Sequence, residues 1–271
     1  MTEVLLTGRL TMGEQVDKAE KAFATAVGAP YAVMVNSGSS ANLLTVAAIV
    51  NKLRKSGPLY PGDEVLVPAV CWSTSVAPLI QLGLMPVFVD VDPLTFNTPV
   101  SELRRRLTPR VKAVMAVHVL GNSTNMVELQ DFVREHGLVL VEDTCEALGS
   151  FYYPAAAVDG QHNKRRFLGT CGDFGTYSFY FSHHITCGEG GMVVCKTEDD
   201  FNLLRCLRAH GWTRHLTNRA AVEAEHASVD PRFLFINVTW ASTSAPWRCR
   251  RPCSTCSCSN WASLMPAAGP T

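Results

Sequence analysis

The stretch Tyr31-Ala32-Val33-Met34-Val35-Asn36-Ser37-Gly38-Ser39-Ser40-Ala41-Asn42-Leu43-Leu44 opens with five near-continuous apolar residues, turns through small and hydroxyl residues, and continues into an apolar helical stretch over Ser40–Leu53. An unbroken apolar run of strand length is the pattern of a strand covered on both faces. The same alternation recurs outward from it. Further strands are predicted at Glu64–Val67, Val87–Val91, Ala113–Val119, Leu138–Val141, Thr176–Phe181 and Met192–Cys195. Helices are predicted at Gly13–Ala26, Thr74–Leu82, Met126–Glu135 and Asp199–Arg208, and Tyr152–Lys164 reads as an exposed loop. Strand–helix alternation implies an α/β domain with a mostly parallel sheet of about seven strands flanked by helices. Chemistry in such sheets collects at the carboxyl ends of the strands.

The chain has 271 residues, 47% apolar and 18% charged, enough for one large domain or two small ones with a substantial core. Its 24 basic side chains balance 24 acidic ones, which leaves no electrostatic footprint for nucleic acid or an anionic membrane. Met1-Thr2-Glu3-Val4 lacks the basic start of a signal peptide, and no apolar run approaches the roughly 20 residues of a membrane span. These features predict a soluble cytoplasmic protein. Six of the ten cysteines (Cys71, Cys145, Cys171, Cys187, Cys195, Cys206) sit in apolar or strand-like stretches, as buried reduced thiols do. The other four (Cys249, Cys253, Cys256, Cys258) crowd a tail, residues 239–271, that has no Asp, Glu or Lys and holds three of the five tryptophans.

Four stretches could carry chemistry. Asn36–Asn42 at a strand-to-helix turn is either a phosphate cradle of backbone N–H groups and hydroxyls or an ordinary serine cap. Glu142-Asp143-Thr144-Cys145-Glu146 places two carboxylates, Asp143 and Glu146, beside a strand end, where they could meet one ligand or simply face solvent. Trp72, past Val67-Pro68-Ala69-Val70-Cys71, could stack on a planar ligand or fill core. In Tyr177–Gly191 a strand delivers His183 and His184 ahead of a Gly-Glu-Gly-Gly turn. Adjacent histidines diverge and lack partners at metal-ligand spacing, so no metal site is expected. One imidazole poised for proton transfer near neutral pH is the sharper reading, a hydrogen-bonded structural pair the plainer one.

Together these motifs, in this order, resemble the DegT/DnrJ/EryC1/StrS sugar aminotransferases over roughly residues 8 to 238. The resemblance implies a type I aminotransferase-like large domain that binds pyridoxal 5′-phosphate. Most members hold that cofactor through a lysine where this chain has His183. Such a substitution is similar to the branch of 3-dehydratases acting on nucleotide-linked 4-keto-6-deoxy sugars. Thr11-Met12-Gly13-Glu14 and Arg208–Arg214 resemble the group whose substrate type is GDP-4-keto-6-deoxymannose. A sister group with an iron–sulfur cluster has closely spaced cysteines after the equivalent of Leu207–Arg214, whereas this chain has none between Cys206 and Cys249.

The resemblance further implies L-glutamate as amino donor, a pyridoxamine phosphate form in turnover, His183 as the proton-transferring catalytic group, and a role in deoxysugar and lipopolysaccharide biosynthesis. Asp143 would pair with the ring N–H⁺, Glu146 would bond the ring 3′ oxygen, Trp72 would stack on the ring, and Gly38, Ser39 and Ser178 would hold the phosphate. An ordinary sugar aminotransferase and a catalytically silent fragment are the alternative expectations.

The pattern breaks after Phe235-Ile236-Asn237, where family members continue with Gly-(Tyr/Phe)-Asn-(Leu/Val)-Arg-Pro and a small C-terminal domain. Back-translated and read from the third base of each codon, the tail from Thr239 permits Leu-Gly-Phe-Asn-Leu-Arg-Pro. The expectation is a large domain over residues 1–238, short at its N-terminus, followed by a frameshifted or disordered tail at 239–271. A small cysteine-rich metal site is the rival reading of that tail. Full-length relatives of this kind are expected to be homodimers with the active site at the subunit interface.

Overall fold

A computed structural model describes residue 6 and residues 12–154 and 165–225. The predicted tail, its four cysteines, the 238/239 boundary, Thr11 and residues 155–164 of the predicted loop lie outside the described residues.

Helix α1 (Glu14–Val27) is ended by Gly28 in the left-handed region, φ 75°. The chain then forms β1 (Tyr31–Val35), α2 (Gly38–Ile49), β2 (Glu64–Pro68), α3 (Ser73–Gln81) and β3 (Met85–Val89). Next come α4 (Val100–Arg106), β4 (Val111–Val117), a 3₁₀ turn (Val119–Gly121), α5 (Met126–His136) and β5 (Val139–Asp143). After an antiparallel pair of two-residue strands, β6 (Phe151–Tyr152) and β7 (Arg166–Phe167), the chain continues through β8 (Phe174–Ser178), β9 (Gly191–Cys195), α6 (Glu198–Arg208) and α7 (Arg219–Glu225).

Among the described residues the main sheet has seven strands in the order β1-β9-β8-β5-β4-β2-β3. The β3–β2, β2–β4, β4–β5 and β5–β8 ladders are parallel, and β9 runs antiparallel between β8 and β1. Two reversals return β1 to the direction of β8. The carboxyl ends of β1, β2, β4, β5 and β8 therefore share one edge of the sheet. The expected α/β architecture with a mostly parallel sheet is present.

Helices cover both faces. On one, Leu44 and Ile49 of α2 and Leu204 and Leu207 of α6 pack on Val33, Val65, Val141 and Phe174. On the other, Leu103 of α4 and Leu129 and Phe132 of α5 pack on Leu66, Val114 and Leu140, while Phe23 of α1 meets Tyr177 edge-on at 4.9 Å. Each fully buried side chain of this size contributes about 1.5–3 kcal/mol. Helix α2 is buried around most of its circumference, which explains its continuous apolar sequence. A buried ion pair ties helix α1 to the end of α6 and to strand β1. Arg208 Nη1 donates to Glu20 Oε1 and to the Met34 carbonyl (2.8 Å), and the Met34 N–H donates to Glu20 Oε1 (2.9 Å).

Several predicted boundaries shift: β3 and β4 each begin and end two residues earlier than expected, and α2 runs from Gly38 to Ile49 rather than from Ser40 to Leu53. Strand β5 extends through Glu142 and Asp143, which are paired to β4. Strand β8 ends at Ser178, so His183 stands on a loop rather than at a strand end, and Phe181, taken as strand, is 67% exposed. The cysteines Cys71, Cys145, Cys171, Cys187, Cys195 and Cys206 are free thiols; Cys171, Cys195 and Cys206 are buried and the other three half-buried. No helix among the described residues is long and apolar enough to cross a membrane.

Candidate functional site

The site lies along the shared carboxyl edge. Past β1, Ser37 caps α2: its Oγ accepts the Ser40 N–H at 3.1 Å. The first turn of α2, Gly38 and Ser39, leaves its N–H groups at a helix N-terminus, where an anion is favoured. Gly38 is buried and Ser39 exposed. A Cβ on residue 38 would lie 2.6 Å from Ser178 Cβ and 3.0 Å from Cys145 Sγ, and one on Gly191 only 2.3 Å from the Ser37 carbonyl oxygen. Only glycine lets this turn sit between the ends of β8, β5 and β9. The structure thereby brings Gly38, Ser178 and the Asp143–Glu146 segment together.

Asp143 ends β5 and is buried. Its Oδ2 accepts Asn42 Nδ2 at 2.8 Å and Ser75 Oγ at 2.7 Å, and its Oδ1 accepts the Cys145 N–H at 3.2 Å. Thr176 Oγ1 donates to Asn42 Oδ1 at 2.7 Å, which fixes the amide so that its NH₂ faces Asp143. The Asp143 charge is felt nearby: burial first, then Asp143, pushes the Cys145 thiol well above its ordinary range and raises Cys71 as well. Both remain thiols at neutral pH.

Glu146 is half-buried and accepts the Leu120 N–H at 3.1 Å. Trp72 precedes α3 and is 72% exposed, so the core-filling alternative for it does not hold. Ser178 closes β8 and its Oγ accepts the Tyr180 N–H at 3.3 Å. Between β8 and β9 the chain makes a loop pinned at its base by Phe179 N–H to Gly190 O (2.8 Å) and Cys187 N–H to Phe179 O (3.1 Å). His183 rides on it. Its N–H donates to the Tyr180 carbonyl (3.1 Å) and its ring meets Tyr180 edge-on, 6.2 Å between centroids. Both ties lie within its own loop.

Sequence reasoning misses Asn42 and Ser75 as partners of Asp143, Thr176 as the group that orients Asn42, and the pairing of Glu142 with His118. A polar Asn42 within an apolar helix, and adjacent carboxylates ending an apolar strand, were the available signals. Among the described residues, no group of three His, Cys, Asp or Glu could hold a metal ion. The donor set suits a phosphorylated, nitrogen-bearing aromatic ring. A helix N-terminus with hydroxyls fits the phosphate, a buried carboxylate fits a protonated ring nitrogen, and an exposed indole offers a stacking face.

Residues 1–231 match the DegT/DnrJ/EryC1/StrS aminotransferase family. GDP-4-keto-6-deoxy-D-mannose 3-dehydratase from Escherichia coli O55:H7 is 42% identical over 219 residues, covering 81% of this chain and 53% of that protein. GDP-perosamine synthase from Caulobacter vibrioides is 34% identical over 201 residues, covering 74% and 49%. The solved E. coli GDP-4-keto-6-deoxy-D-mannose-3-dehydratase with bound hydrated PLP has a TM-score of 0.71 at 41% identity, covering 80% of this chain and 52% of that one. The chain spans about half the length of the curated relatives it matches.

Proposed function

Because this chain belongs to the DegT/DnrJ/EryC1/StrS aminotransferase family, whose members include pyridoxal-phosphate enzymes, we propose that it is the cofactor-binding part of a 3-dehydratase. Its substrate in this reading is a nucleotide-linked 4-keto-6-deoxysugar of the GDP-4-keto-6-deoxymannose type, with L-glutamate as amino donor. The setting is deoxysugar synthesis for a surface polysaccharide, in the cytoplasm, and the full-length assembly is a homodimer.

The observation that carries the reading is His183. Between Arg165 and Lys196 the chain has no lysine. Lys196 follows antiparallel β9, at the edge opposite the site, and donates to the Cys171 carbonyl at 2.6 Å. A primary amine can condense with an aldehyde and also move protons, whereas an imidazole does only the second. A residue limited to proton transfer favours dehydration, with loss of the C3 hydroxyl, over an enzyme that tethers its cofactor.

When bound, the cofactor supplies an amine for the sugar ketone and a ring that accepts electrons. The chain does the rest. Asp143, oriented by Asn42 and Ser75, accepts the ring N–H⁺ and keeps that nitrogen protonated. The N–H groups of Gly38 and Ser39, with the Ser39 and Ser178 hydroxyls, hold the phosphate. Trp72 covers a ring face, Glu146 bonds the 3′ oxygen, and His183 Nδ1 or Nε2 takes and returns the proton.

The test is the absorbance of the chain with pyridoxal phosphate before and after L-glutamate. Conversion of the aldehyde to the amine form, lost in His183→Ala, is the expected result; absence of cofactor binding would overturn the reading. The likeness to GDP-perosamine synthase favours a second reading, a sugar aminotransferase. Release of an aminosugar rather than a deoxysugar would select it, and no turnover with bound cofactor would mark a silent chain.

A further inference from the structure

Glu142 and Asp143 are neighbours in β5, so their side chains leave the strand on opposite faces. Asp143 faces α2 and α3. Glu142 is fully buried on the other side. Its Oε1 accepts the N–H groups of Cys171 (2.7 Å) and Gly172 (2.6 Å). Its Oε2 accepts the Gly169 N–H (2.9 Å) and lies 3.0 Å from His118 Nε2. A carboxylate has about four acceptor sites, so this one is saturated. Burial alone would push Glu142 up, but the His118 bond and charge, with the Gly169 and Gly172 donors, hold it below its ordinary range.

His118, the residue after β4, is itself buried. Its backbone N–H donates to the Asp143 carbonyl at 3.1 Å. Two residues on, Leu120 has φ 52°, uncommon for a residue with a side chain, and directs its N–H to Glu146. One short segment thus touches Glu142 through a ring, Asp143 through the main chain and Glu146 through an N–H. His118 Nδ1 and Thr98 Oγ1 are buried without a protein partner, and both residues line a cavity of about 20 Å³.

We propose that His118 is a positioning residue: its ring, fastened to Glu142, holds residues 118–120 so that the Leu120 N–H fixes Glu146 and the main chain of Asp143 stays pinned at the end of β5. The inference rests on the reading that Asp143 and Glu146 contact the cofactor. His118 acts only through them.

His118→Leu leaves a buried carboxylate one donor short, while His118→Gln retains an N–H for it. Amide hydrogen exchange on the full chain without cofactor reads the anchor directly. Exchange at Leu120 should quicken about tenfold in His118→Leu, with Val33–Val35 of β1 unchanged, and return toward wild type in His118→Gln. Pyridoxal phosphate titration reads the consequence. The Kd should rise about tenfold in His118→Leu with a displaced absorbance band, and recover in His118→Gln. Unchanged Leu120 exchange, equal quickening in β1, failure of glutamine to restore it, or unchanged cofactor affinity in His118→Leu would each overturn the proposal. A wild-type chain that binds no pyridoxal phosphate would instead overturn the functional reading and the role toward the cofactor, and Leu120 exchange would still decide the anchor.

Discussion

Gly38 and Ser178 stand so close that a single added methyl on Gly38 would sit 2.6 Å from the Ser178 Cβ, well inside contact distance. Gly38 opens helix α2 just past β1 and Ser178 ends β8, and their approach closes the site. Gly38→Ala must therefore push β8 away from α2. A loss of about 1–3 kcal/mol in urea unfolding is expected from the overpacking, together with weaker pyridoxal phosphate binding than stability alone accounts for. Unchanged affinity would place the phosphate elsewhere.

His183→Lys restores the amine that the loop after β8 lacks. With pyridoxal phosphate and borohydride, this variant should gain the mass of one reduced cofactor on the peptide carrying residue 183, and wild type should not. Failure to trap any adduct there would remove residue 183 from the reactive position.

Glu142 makes an acid-sensitive contribution with a definite sign. Its folded pKa lies below the ordinary value of 4.5, so its stabilisation is complete above that pH and is lost as pH falls below it toward the folded value. In urea titrations between pH 7 and pH 3, Glu142→Gln should be about 1–3 kcal/mol less stable at pH 7 and should lose less on acidification than wild type. Parallel curves for the two proteins would contradict the linkage.

Glu20 and Arg208 are both buried, and removing Glu20 takes away the carboxylate that Arg208 pairs with. Glu20→Ala should cost about 3–5 kcal/mol, and Glu20→Ala with Arg208→Met distinctly less than the sum of the singles. Additive losses would mean that the pair is not coupled.

How far these relationships could be read from residues alone varies with the kind of signal. Tyr31–Val35 was legible to the residue because an apolar run bounded by Pro30 and Asn36 has one interpretation. Strand β5 was read two residues short because Glu142 and Asp143 look like a solvated strand end, although burial and saturated hydrogen bonding make them part of the ladder. Strand β8 was read too far because Tyr180 and Phe181 carry strand-like side chains on chain that has already left the sheet. Short α4 and the two-residue strands β6 and β7 were not anticipated, since segments of that length have too few residues to show a period. Asp143 and Gly38 were found as members of ordered motifs, whereas Asn42, Ser75, Thr176 and His118 act through contacts between distant segments, which no local pattern records.

The strand order also constrains how the protein is born. Strand β1 joins the sheet through β9, so the amino-terminal strand that leads into the Ser37–Ser39 turn has no ladder to enter until Gly191–Cys195 has been synthesised. On a translating ribosome, the earliest-made strand of the site must wait for the last strand of the described sheet to emerge. Cofactor capture then reports the completion of that long-range closure, and ribosome-stalled chains ending before residue 191 should not yet have formed it.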